Sequence, residues 1–61
     1  MNGKQVIKKL EENGWMLNRV KGSHHIMAKE GKAVPVPVHG TKDLMPGLIS
    51  GLEKQTGVKL R

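Results

Sequence analysis

The run Val34-Pro35-Val36-Pro37-Val38 restricts this chain more than any other stretch. Two prolines one residue apart remove two backbone donors and rule out a helix interior, while valines at every second position share one face of an extended strand. A strand that cannot donate at two positions has no place inside a sheet. It is therefore predicted, over Ala33 to Val38, at a sheet edge with the prolines turned away from the ladder, where they also discourage pairing with another molecule.

The strand that this edge pairs with lies just upstream. Lys29-Glu30-Gly31-Lys32 has hairpin chemistry, and His24 to Lys29 alternates before it, with His24, Ile26 and Ala28 on one side and His25, Met27 and Lys29 on the other. Lys21-Gly22-Ser23 reads as a second turn. The period of two continues back through Trp15 to Val20, where simple alternation puts Trp15, Leu17 and Arg19 on one face and Met16, Asn18 and Val20 on the other. Three antiparallel strands result, the one with two histidines in the middle.

Helical patterns flank them. Asn2 is a natural cap for a helix that points Val6, Ile7 and Leu10 inward, keeps Lys4, Lys8, Lys9, Glu11 and Glu12 in solvent, and stops at Gly14. His39 to Asp43 is a loop, Pro46 suits the first turn of a second helix, and Leu48, Ile49 and Leu52 face inward until Gly57 ends it. Gly47 and Gly51 weaken that helix by about 1 kcal/mol each against alanine. The expected fold is a single α+β domain over residues 1–61, ordered α-β-β-β-α, with a three-stranded antiparallel sheet and both helices packed on one face. The other face is left bare.

At 61 residues the core is small, since a chain of this size hides only about 60% of its unfolded surface, and no roomy cleft is expected. Without cysteine there is neither disulfide nor thiolate nucleophile, and no spacing of histidines and acids reads as a metal site, so no metal or other cofactor is expected. No apolar run approaches membrane-spanning length and no signal-peptide core follows Met1, which predicts a cytoplasmic protein with no membrane partner. Eleven Lys and Arg against five Asp and Glu leave a net charge of +6, and polyanions are the natural partners of such a surface. Trp15 is the lone aromatic, so the stacking platform of single-strand-binding sheets is missing and recognition by backbone shape and charge remains.

Histidine is the one strong candidate for catalysis, because no paired carboxylates, Ser-His-Asp order or phosphate-binding glycine loop is present. Its ordinary pKa near 6.5 suits proton transfer at neutral pH. RNA is a substrate for which this suffices: a base takes the 2′-hydroxyl proton, the oxygen attacks the neighbouring phosphate, and cations hold the developing charge. Arg19, Lys21 and Lys32 flank the histidine turn in sequence and are the candidate cations. Adjacent strand residues point oppositely, so His24 and His25 are two different residues rather than a doubled site. His39 either caps the loop before the second helix or acts as a second proton donor, the structural role being favoured. Ser23 is read as a turn residue rather than a nucleophile.

The helix ending in Gly14-Trp15, then Arg19-Val20-Lys21-Gly22-Ser23-His24-His25, then Val36-Pro37-Val38-His39 and finally Lys54-Gln55-Thr56-Gly57 resemble the HicA family of toxins from bacterial and phage toxin-antitoxin systems. The resemblance spans nearly the whole chain. It implies a double-stranded-RNA-binding-domain-like fold and an mRNA interferase, a metal-independent endoribonuclease neutralised by a HicB antitoxin. It also implies that the histidine after Gly-Ser, His24, is catalytic, with His25 and Met27 leaning toward the helices while His24 and Ile26 face RNA. Ser23, His25 and His39 are then possible supporting residues, and Arg19, Lys21, Gly22 and Lys32 the RNA contacts. Gly51 and Thr56 depart from a usual bulky aliphatic and alanine, which bears on the packing of the second helix and not on the site. The alternative class is a non-catalytic module that reads RNA shape through Lys and Arg. A purely structural subunit would explain the charge but give the Gly-Ser-His turn no role.

Overall fold

The computed structural model describes all 61 residues and has the expected order: α1 (Gly3–Glu12), β1 (Met16–Lys21), β2 (His24–Lys29), β3 (Lys32–Pro37) and α2 (Pro46–Thr56). The sheet is antiparallel in the order β1-β2-β3, so the histidine strand is central and the proline strand is an edge. Both helices lie on one face, where Val6, Leu10, Ile49 and Leu52 close over Met27, Val34 and Val36. The opposite face is bare. No helix is long and apolar enough to cross a membrane.

Local chemistry explains each boundary. Asn2 and Gln5 form a reciprocal capping box at the start of α1, side chain to backbone in both directions at 2.9 and 2.8 Å. At the other end Gly14, at φ +90°, lets its N–H reach Glu11 O (3.1 Å) and the Trp15 N–H reach Leu10 O (2.9 Å), the paired bonds of a Schellman motif. Lys29 adds a cation there, its Nζ donating to Asn13 O at 2.8 Å. This exit drives Trp15 into the core. The β2–β3 turn has Glu30 at φ 51° and Gly31 at φ 82°, the two left-handed residues of a type I′ hairpin.

β1 departs from simple alternation. The pairing runs Leu17 to Met27 and then Arg19 to Ile26, so Asn18 is the extra residue of a bulge. Leu17 and Val20 therefore share the helix side with Met27 and His25, whereas Arg19 and Lys21 share the bare side with Ile26 and His24. The expectation that Arg19 lies with Trp15 and Leu17 is corrected by that one inserted residue. β1 also buries none of its residues, because the helices cover β2 and β3 and stop short of it; Leu17 and Val20 stay 47% and 52% exposed.

α2 begins at Pro46 and ends at Gly57, whose φ of 72° and N–H bond to Glu53 O (2.8 Å) close it as expected. Ile49 and Leu52 are buried, but Leu48 is 39% exposed, contrary to the inward position assigned from spacing. The tail instead adds Val58 and Leu60 to the core. The Thr56 hydroxyl donates to Leu52 O (2.7 Å) and accepts the Val58 N–H (3.2 Å), which turns Val58 and Leu60 inward, while Glu53 accepts the Leu60 and Arg61 N–H groups at 2.8 and 3.2 Å.

Candidate active site

The bare face carries the candidate site residues His24, Lys21 and Arg19. Gly22 occupies the first central position of the β1–β2 turn at φ 60°, and Ser23 follows without a positive φ, the pattern of a type II′ hairpin. A two-residue turn pairs Lys21 directly with His24. Their β-carbons are thus about 5 Å apart on one face, a lysine ammonium within reach of the imidazole. Both side chains are exposed. On the other side of His24 stands Pro37, its partner in β3, which offers a rigid apolar wall. Arg19 sits one diagonal step away, opposite Ile26, and is there because of the Asn18 bulge.

The two histidines separate as alternation requires. His25 pairs with Val20 and Val36 on the helix side, is half-buried, and has its Nδ1 shut off from solvent with no hydrogen-bond partner. His24 faces solvent among cations. Ser23 holds the turn through its carbonyl, which accepts the Val38 N–H at 2.7 Å.

Lys32 does not join this group. It pairs with Lys29 at the far end of the hairpin, five residues along β2 from His24, a separation of about 17 Å. It also has the parity of Val34 and Val36, on the helix side. Its position in sequence near the histidine turn was misleading, because the hairpin carries the chain away before returning it. Pro37 is the neighbour of His24 that the strand pattern alone does not single out, although counting outward from a two-residue turn at Glu30 and Gly31 pairs the two.

His39, by contrast, is brought back to the histidine turn. The Val38 N–H bond to Ser23 O extends the β2–β3 ladder one residue beyond β3, and His39 follows at once with an exposed side chain.

An exposed imidazole between a lysine and a proline wall, with an arginine on the same face, can exchange a proton beside a bound anion. Comparison with known families agrees with the resemblance noted above: residues 3–58 match the family model of the HicA toxin of bacterial toxin-antitoxin systems. No individual curated protein matches the chain. The family match takes in both helices but for the cap, all three strands, and every side chain of the site. With nearly its whole length matched and the helix, three strands and helix in place, the chain belongs to the HicA family, the toxins of bacterial toxin-antitoxin systems that are each held by a cognate antitoxin.

Proposed function

We propose that this toxin is an endoribonuclease that cleaves mRNA and so halts translation and growth, with His24 exchanging the proton of the attacking 2′-hydroxyl. Lys21 and Arg19 hold the charge that develops on the scissile phosphate. A HicB-like antitoxin restrains it by covering the bare face of the sheet. The observation that carries this reading is the pairing of His24 with Lys21 on an uncovered, basic face, joined there by Arg19.

RNA supplies its own nucleophile, so one well-placed base starts the reaction. The 2′-oxygen forms a bond to phosphorus, the bond from phosphorus to the 5′-oxygen breaks, and a 2′,3′-cyclic phosphate and a 5′-hydroxyl result. General base catalysis of this kind contributes about 10²–10⁴-fold.

Induced expression of the wild type, His24→Ala and His25→Ala tests it, with circular dichroism to show that each variant folds. Growth arrest and mRNA cleavage are expected from the wild type and His25→Ala and lost in His24→Ala, with RNA and antitoxin binding retained. If all three bind RNA and none cuts it, the protein is a binding module instead.

A further inference from the structure

A single histidine that takes a proton from the 2′-hydroxyl leaves the departing 5′-oxygen without one. Resting on the ribonuclease reading above, we propose that His39 is the second catalytic residue of this site: it donates a proton to the leaving 5′-oxygen while His24 removes the proton from the 2′-hydroxyl.

The backbone argues for it first. The Val38 N–H is held by Ser23 O at 2.7 Å, and the Val38 side chain faces the start of α1, its Cγ2 standing 2.9 Å from where a β-carbon on Gly3 would be. Val38 therefore points to the helix side with Val34 and Val36, and strand alternation sends His39 out on the side of Pro37 and His24. His39 is then the diagonal neighbour of His24, two residues past its partner Pro37, with α-carbons about 7–8 Å apart. Two imidazoles at that spacing leave room for one phosphodiester between them.

The position of His39 is set from both sides. Its own carbonyl accepts the Lys42 N–H at 3.1 Å, closing a turn with Gly40 at φ 59°. The loop beyond is tied down again by Leu44 N–H to Met1 O (2.8 Å) and by the amino terminus on Asp43 (3.2 Å). A residue pinned before and after, with a free side chain, suits a proton donor that must not wander.

Other candidates are committed elsewhere. His25 is on the opposite face with its Nδ1 buried. Asp43 is paired with the amino terminus, Glu53 with the tail, Glu30 lies in the distant hairpin turn, and Glu11 and Glu12 lie on α1. No other acid or imidazole comes to this corner of the bare face.

The test separates the leaving-group proton from everything else. After the preferred cleavage site is mapped on a long RNA, a short oligonucleotide is made twice, once with the natural 5′-oxygen and once with a bridging 5′-sulfur at that site. A thiolate leaves without protonation. His39→Ala is expected to cut the oxygen substrate about 10²–10⁴-fold more slowly than wild type and the sulfur substrate at close to the wild-type rate. His24→Ala is expected to be slow on both. His39→Asn, which keeps a polar side chain of similar reach, is expected to behave as His39→Ala and guards against a folding defect. Equal losses on both substrates, or no loss on either, overturn the assignment of His39 alone, since the wild type still cuts; a wild type that cuts neither substrate nor long RNA overturns the ribonuclease reading with it.

Discussion

Gly3 and Pro37 meet backbone to backbone: a β-carbon on Gly3 would fall on the Pro37 carbonyl oxygen and 2.9 Å from Cγ2 of Val38. Neither obstacle is the loose end of a flexible side chain, so α1 and the end of β3 would have to part. Gly3→Ala is expected to cost about 1–3 kcal/mol despite alanine's better helix propensity, lowering the thermal midpoint by several degrees in a domain this small. It should also loosen the segment that carries His39. A midpoint equal to the wild type would mean that the two elements are not packed this closely.

Gly51 is the opposite case. It lies inside α2, and a β-carbon there would meet nothing within 4 Å, so the residue brings only the entropy cost of glycine in a helix. Gly51→Ala is expected to stabilise the protein by about 1 kcal/mol in denaturant unfolding, with cleavage unchanged. Destabilisation would place an unseen neighbour beside that turn of the helix.

His25 holds a buried Nδ1 that no group satisfies, wedged between Val20 and Val36. An unpaired polar atom of this kind costs about 1–3 kcal/mol. His25→Leu, which fills the same place without the nitrogen, is expected to leave stability equal or up to about 1 kcal/mol higher and to keep the toxin active. A loss of both stability and cleavage would give the imidazole a role that its position on the helix side does not suggest.

Much of this was legible in the residues themselves, and the boundaries show why. Asn2, Gly14 and Gly57 act through bonds within a few positions of themselves, Pro46 through its own fixed φ, and the alternating prolines fix an edge strand without reference to anything distant. Where the structure departs from these local rules, the partner lies far along the chain. Nothing around Asn18 announces a bulge, which exists only in the register between β1 and β2, and it is the bulge that brings Arg19 to His24's face. Lys32 looked close to the site because sequence distance stood in for space. Leu48 stays exposed while Val58 and Leu60, both beyond the glycine that closes the helix, join the core, and only the bonds from Thr56 and Glu53 reveal that the tail folds back. The return of His39 to the histidine turn is long-range in the same way, since it rests on one bond between Val38 and Ser23.

Lys21 and Lys32 carry the same charge at opposite ends of the sheet, which makes them a controlled pair. Lys21→Ala is expected to weaken RNA binding, to lower the slope of log affinity against log salt by about 0.7–0.9, and to slow cleavage. Lys32→Ala removes an equal charge about 17 Å from His24 and should leave the cleavage rate of bound RNA unchanged. Equal effects on cleavage from the two variants would mean that only net charge matters and that the face around His24 has no special part in catalysis.

Glu53 ties the tail to α2, and its titration should release it. The carboxylate is held below its ordinary value of 4.5, first because it accepts the Leu60 N–H; burial pushes the other way, and the Arg61 N–H with the charges of Arg61 and Lys59 lowers it further. A carboxylate whose folded pKa is depressed contributes stability that is fully present above its unfolded value and is lost as pH falls through the folded one. Wild-type stability should therefore decline as the pH drops below about 4.5, more steeply than in Glu53→Gln, which lacks the titrating group. Protection of the Leu60 and Arg61 amides, measured relative to the intrinsic exchange rate at each pH, should fall over the same window and ahead of protection in the core of the sheet, because those two N–H groups lose a charged acceptor. Parallel pH curves for wild type and Glu53→Gln would show that the tail is held by Val58 and Leu60 in the core alone, and that the carboxylate beneath it adds nothing.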